Sequence, residues 1–285
     1  MSQRVEQVTV VGAGTMGHGI AHVAALAGFD TYLFDVDVVA LERGLGNIRA
    51  NLDTAVEKAI ISVEQRDSAL EHLTGTQDLA VAAEDADLVI EAVPEVMELK
   101  RSVIVEVCSS APRNAIIATN TSSLSVSRIA ESATQPELVV GMHFFNPPHK
   151  NKLLEIVRGE HTAESVIESV RAVGERMDRH MVVVSDSPGF ASSRLGLVLG
   201  LEAIRMVEQG VASPEDIDKA MVKGYRHPMG PLKLTDWVGL DVRLAIAEYL
   251  HRELNAEHFR PPELLKKMVA EGKLGKKSGQ GFYSW

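Results

Sequence analysis

A chain of 285 residues with 45% hydrophobic and 24% charged side chains has about twice the length of an ordinary domain, which predicts a soluble protein of two domains. Its formal net charge of −10 argues against a nucleic-acid surface, and no apolar run reaches the roughly 20 residues of a membrane span. The single cysteine, Cys108, excludes an internal disulfide and fits a reducing cytoplasm. No Cys/His cluster has zinc spacing, and MSQRVEQVTVVGAG enters a strand without a secretory leader.

In chain order, short β-branched runs are expected to form strands at 7–12, 30–35, 87–93, 115–120, 138–145, 153–157 and 180–187. Helical spacing falls between several of them, at 15–28, 36–60, 95–110 and 163–178. Near-continuous apolar strands separated by helices predict a mostly parallel, Rossmann-like sheet covered on both faces. The helical stretch at about 36–73 is a longer insertion than a crossover needs. After SDSPGF the character changes. Residues 191–210 read as one long helix ended by Gly210. In 213–224, Ser213 stands as N-cap and Pro214 at the first helical position. Helical patterns also cover 231–253 and 261–272. The expected organisation is an α/β domain over 1–186 and an all-α domain over 187–285. Pro188 and Gly189 mark the turn between them, and HPMGP at 227–231 is a second turn, which makes His227 structural.

Gly12, Gly14 and Gly17 have G-x-G-x-x-G spacing, directly after a predicted strand and at the start of a predicted helix. The first glycine makes the tight turn, the second admits a pyrophosphate and the third allows close helix–strand packing. The helix N-terminus adds N–H groups and partial positive charge. Asp35, at the end of the second strand, can bind ribose hydroxyls and would repel a 2′-phosphate, so NAD is expected over NADP, with FAD a minor competitor. His18 and His22 form an H-x-x-x-H pair, but no third ligand is in view; packing or surface roles fit better than a metal, and none is expected.

A histidine, His143, ends one apolar run. Twelve residues later Glu155 interrupts another, LLEIV. An unpaired charge in a buried strand is costly. A carboxylate on Nδ1–H would hold the ring, leave Nε2 as acceptor and stabilise the imidazolium. The competing reading for a lone strand histidine, a satisfied core residue, stays open on these two residues alone.

VVGAGTMGHGIA, ATNTSSLSV, GMHFFNP, DSPGF and HPMGPLKLTDWVGLD occur in this order, followed by GKLGKKSGQGFYSW. Together they resemble the 3-hydroxyacyl-CoA dehydrogenase family over essentially the whole chain, its short bacterial 3-hydroxybutyryl-CoA members above all. The resemblance implies reversible, NAD-dependent oxidation of an (S)-3-hydroxyacyl-CoA. It also implies an acyl-CoA substrate and a homodimer made through the helical domain, which shares the substrate cleft. By position it implies His143 as general acid/base and Glu155 as its orienting carboxylate. Ser122 would bond the reacting oxygen, Asn146 would position His143 and the substrate carbonyl, and Asn120 would support this loop. Glu95, Lys100 and Lys277 match cofactor-lining positions, and Asn51 and Lys58 match positions that touch CoA. A solvated helix face is the other reading of Lys58. The chain departs from the family at Ser193, where P-G-F-x-x-N-R has an asparagine that contacts the acyl group; a serine cannot offer both an amide donor and a carbonyl acceptor. A sugar-acid or short hydroxyacid dehydrogenase on the same scaffold is the enzymatic alternative. A non-catalytic, crystallin-like NAD-binding protein is the alternative of another class.

Overall fold

A computed structural model describes residues 3–285. The chain divides into two compact units, Met1–Ser187 and Pro188–Trp285.

The first unit is built on an eight-stranded sheet. It opens with β1 (Gln7–Val11), α1 (Gly17–Leu26) and β2 (Asp30–Phe34), then the helices α2 (Val38–Glu57) and α3 (Val63–Glu71). Local chemistry sets both helix starts: Asp37 Oδ1 accepts from Val39 N at 2.9 Å, and Ser62 and Gln65 form a reciprocal capping box. Next come β3 (Leu73–Thr76), α4 (Leu79–Ala83), β4 (Leu88–Glu91), α5 (Met97–Ser110), β5 (Ile116–Thr119) and α6 (Val126–Ala130). The unit closes with β6 (Val139–Phe144), β7 (Leu153–Arg158), α7 (Glu164–Arg176) and β8 (His180–Ser185).

The strand order is β3-β2-β1-β4-β5-β6-β7-β8, parallel throughout except for the antiparallel β6–β7 pair. Every residue of the central strands β4, β5 and β6 is buried, as a sheet covered on both faces requires. The core runs through Val10, Ile20, Leu33, Ile90 and Leu154. The expectation missed β3: its sequence LTGT is half-buried at its two ends and exposed at Thr74 and Gly75, on the sheet edge, so it carries no apolar signal.

The second unit is helical: α8 (Ser192–Glu208), α9 (Pro214–Gly224), α10 (Pro231–Val238), α11 (Leu240–Leu254) and α12 (Glu263–Ala270). Gly210, at φ +70°, follows the end of α8, and Ser213 Oγ accepts from Asp216 N at 3.2 Å to start α9. The single helix expected over 231–253 is two. Gly239 at φ +106° separates α10 from α11, a conformation that only glycine adopts without strain. Leu197, Leu201, Leu232, Leu240 and Leu250 form this unit's core. No helix among the described residues is long and apolar enough to cross a membrane.

Candidate active site

The glycine loop leaves β1 and enters α1 at the carboxyl edge of the sheet. Gly12 sits at φ +102°, where a Cβ would stand 3.0 Å from the Ala92 carbonyl oxygen. A Cβ on Gly17 would collide with the Gly12 carbonyl. Those two glycines are therefore demanded by the protein's own backbone. Gly14 is different, since nothing lies within 4 Å of its Cβ position. The space beside it belongs to a cavity of about 840 Å³ lined by Gly12, Gly14, Asp35, Asn120, Ser122 and His143. Asp35 closes β2 there, its Oδ2 accepting from Ala13 N at 2.7 Å and its Oδ1 from Asp37 N at 2.9 Å. Open space at the second glycine, a helix N-terminus and an acid at the end of the second strand fit a dinucleotide.

Across the cavity, β6 and β7 place His143 directly opposite Glu155 in the antiparallel register. His143 Nδ1 and Glu155 Oε2 are 2.7 Å apart. Glu155 is fully buried and the His143 side chain only 8% exposed, yet His143 lines the cavity. The pair therefore shields the carboxylate while the ring borders the space for a ligand. Asn146, on the same wall, ends the strand's extension two residues beyond β6. Asn120 Oδ1 accepts from Phe144 N at 2.8 Å, which ties the end of β5 to the residue after His143.

Ser122 lies in a turn organised by Glu95. One oxygen, Oε1, accepts from Thr121 Oγ1 at 2.7 Å, Ser122 N at 2.8 Å, Ser122 Oγ at 3.1 Å and Ser123 N at 3.1 Å. Burial alone would raise the Glu95 carboxyl, but the Lys100 ammonium and the donors of Thr121 and Ser122 hold it below the ordinary carboxylate range. Lys100 does not line the cavity. It is buried, with Nζ donating to Glu91 Oε1 at 2.8 Å and to the Val93 carbonyl at 3.2 Å, and it stands 3.4 Å from Glu95 Oε2. Glu91 is fully buried as well and also accepts from Thr119 Oγ1 at 2.7 Å. Sequence reasoning missed Glu91 and Thr121. The signal for Glu91 was present, because it is a lone carboxylate in the apolar run LVIEAV, as Glu155 is in LLEIV.

The remaining expected residues lie elsewhere. Asn51 and Lys58 are on α2 and at its C-terminal cap, half-buried and exposed respectively, away from the cavity wall. Lys277 belongs to the helical unit and pairs there with Asp241 Oδ2 at 2.5 Å. Ser193 is half-buried in the first turn of α8. His18 Nδ1 is 2.7 Å from the Gly14 carbonyl. His22 is buried and stacks on His149 with ring centroids 5.5 Å apart.

This fold and loop define an NAD-binding oxidoreductase of the Rossmann class. Residues 7–187 match the family model described as 3-hydroxyacyl-CoA dehydrogenase, NAD binding domain, and residues 189–285 match that of the 3-hydroxyacyl-CoA dehydrogenase C-terminal domain. The chain belongs to the 3-hydroxyacyl-CoA dehydrogenase family. It is 43% identical over 281 residues to the probable 3-hydroxybutyryl-CoA dehydrogenase of Bacillus subtilis, covering 99% of this chain and 98% of that protein. It is 39% identical over 287 residues to the 3-hydroxyadipyl-CoA dehydrogenase of Escherichia coli K12, covering 100% of this chain and 60% of the longer relative. The crystal structure of (S)-3-hydroxybutyryl-CoA dehydrogenase from Ralstonia eutropha superposes with a TM-score of 0.96 at 36% identity, covering 99% of each chain. The protein is thus an NAD-dependent dehydrogenase.

Proposed function

We propose that the protein oxidises a short-chain (S)-3-hydroxyacyl-CoA reversibly to the 3-oxoacyl-CoA, with 3-hydroxybutyryl-CoA as the reference substrate. The observation that carries this reading is the buried His143–Glu155 pair, at 2.7 Å, on the wall of the cavity opened by the glycine loop. Bound NAD supplies the hydride acceptor. His143 Nε2 takes the substrate hydroxyl proton as the C–H hydride departs and the carbonyl forms. Glu155 keeps the ring oriented through Nδ1 and stabilises the imidazolium. Ser122 and Asn146 hold the reacting oxygen, and Asn120 holds the end of β6 through Phe144 N.

Asp35 takes the adenosine ribose beside Gly12, Gly14 and Gly17. Glu95 serves the cofactor side by fixing the Ser122 turn, backed by Lys100, and Lys277 completes that side. Asn51 and Lys58 meet the CoA moiety, and Ser193 meets the acyl chain. Relatives named for 3-hydroxybutyryl and for 3-hydroxyadipyl groups leave the acyl terminus to be read from this chain's own residues. We assign the enzyme to the cytoplasm, which its lone Cys108 supports. We also assign it a homodimer through the helical unit, supported by exposed Leu195 and Leu199 on α8.

The test is loss of NADH absorbance with acetoacetyl-CoA, run beside a sugar acid with NAD. Turnover of the thioester alone is expected; turnover of the sugar acid alone would overturn the assignment in favour of the hydroxyacid alternative.

A further inference from the structure

Three charges of LVIEAVPEVMELK, residues 88–100, converge although they stand in three different segments. Glu91 ends β4, Glu95 lies in the loop that follows, and Lys100 is on the first turn of α5. Their burial is graded. Glu91 is fully buried and the Lys100 side chain is 1% exposed, whereas that of Glu95 is 35% exposed and borders the cavity. Lys100 Nζ donates to both oxygens of Glu91, at 2.8 and 3.1 Å, and reaches Glu95 only at 3.4 Å. Glu91 is held in place for this contact from its other sides. Its Oε1 also accepts from Val93 N, and its Oε2 accepts from Thr119 Oγ1, each at 2.7 Å.

The group thus sets two carboxylates against one ammonium. No other ion pair of the described residues involves either acid. Arg101, the next cation on α5, donates to Ser132 Oγ at 2.8 Å and stands 3.4 Å from Glu131. The closer, two-oxygen partner takes the larger share of the ammonium's attraction. One negative charge is therefore left over, and it sits on Glu95, the member that meets the cavity. The donors around Glu95 Oε1 are hydroxyls and backbone amides, which stabilise that charge without cancelling it. Stability gives little reason for the buried pair, because desolvating two charges costs about as much as pairing them returns, and apolar residues of similar volume would serve the core as well.

We propose that Glu91 is a positioning residue for charge: by engaging Lys100 it leaves Glu95 uncompensated at the cavity, and the site thereby favours the oxidised, cationic nicotinamide over the reduced, neutral one. This rests on the reading above that Ser122 and His143 meet the reacting oxygen. Hydride transfer requires the nicotinamide beside the carbon that carries that oxygen, hence in the part of the cavity bordered by Glu95, Ser122 and His143. The oxidised ring carries one positive charge and the reduced ring none, so an uncompensated carboxylate there acts on the difference between them. His143 stands at the other end of the same balance. As it takes the hydroxyl proton, positive charge appears beside Glu155 while the hydride cancels that of the cofactor ring. Glu95 and Glu155 thus draw this charge in opposite directions, and Glu91 sets how strongly Glu95 draws it.

The experiment titrates the enzyme with NAD and with NADH by calorimetry, without acyl substrate, in the wild type, Glu91→Gln, Glu95→Gln and the double variant Glu91→Gln/Lys100→Met. Adenosine and pyrophosphate are common to both cofactor forms, so the ratio of Kd for NAD to Kd for NADH isolates the ring charge. Glu91→Gln leaves Lys100 to neutralise Glu95, and the ratio should rise about tenfold, the effect of one charge at short range in a partly hydrated site. The double variant removes both charges of the buried pair but keeps the surplus on Glu95, so it should retain the wild-type ratio. A merely structural pair would instead weaken both forms alike. Glu95→Gln spares the buried pair and removes the same net charge, so its ratio should rise too; it and the double variant carry the test where Glu91→Gln does not fold. A ratio unmoved in Glu95→Gln would overturn the charge bias, and a double variant shifted as far as Glu95→Gln would overturn the part given to Glu91. Turnover of acetoacetyl-CoA by the wild type is measured alongside. An unmoved ratio with that turnover intact sinks the charge role alone, whereas absent turnover sinks the dehydrogenase reading on which it rests.

Discussion

Two imidazoles of the N-terminal unit are buried almost equally, His143 at 6% and His22 at 4% exposure, yet their surroundings are opposite. His143 has a carboxylate 2.7 Å from Nδ1 and borders the cavity. His22 has an unsatisfied, sealed Nδ1, faces a second histidine rather than an acid, and is pushed down to about 4 by burial, with His149, His18 and Arg179 adding repulsion. A buried histidine is therefore not in itself a catalytic one. We propose that an acid on one nitrogen, together with access to a ligand space, makes His143 the proton carrier, whereas burial beside other basic groups keeps the His22 ring neutral at physiological pH.

That contrast can be broken at either ring. The largest effect is expected for His143→Gln, which should lower kcat by about a thousandfold while NADH affinity, read by fluorescence titration, stays within a few-fold. A rate near wild type would remove His143 from proton transfer. For His22, the ring's folded pKa of about 4 lies below its ordinary 6.5, so between these values the unfolded chain binds a proton that the folded one refuses. Stability should accordingly fall as pH drops from 6.5 towards 4 and level off below, by about 3 kcal/mol from this group. Urea melts of wild type and His22→Gln over that range check it, and parallel curves for the two proteins would show that the ring does not titrate in this way. The smallest effect is that of Glu155→Gln, which retains the shape of the pair but not its charge; kcat should drop by about a hundredfold, with NADH binding preserved.

Much of this was legible without coordinates because the signals were local or periodic. Apolar runs announced seven of the eight strands, and glycine spacing announced the loop. The lone acid in LLEIV pointed to a buried pair because an isolated charge there is too costly. The polar edge strand LTGT at 73–76 stayed hidden because pairing with β2, not its own composition, makes it a strand. Lys100 looked like a cofactor contact from its position in the motif. Its actual neighbours, Glu91 and Glu95, come together only when β4 and the start of α5 fold over one another.

The sequence by itself determined the class of the sheet, the dinucleotide loop, and the identity of the histidine and glutamate that meet. Their meeting follows from strand alternation and an antiparallel return, which a twelve-residue separation permits. Only the tertiary structure decided what each polar side chain faces. It set His143 against an acid at a cavity and His22 against another base in the core. It sank Lys100 beneath the turn that carries Ser122, and it buried Arg243 with no ion-pair partner among the described residues. Such facts depend on distances between residues far apart in the chain, where desolvation and pairing are decided together and no local pattern records the outcome.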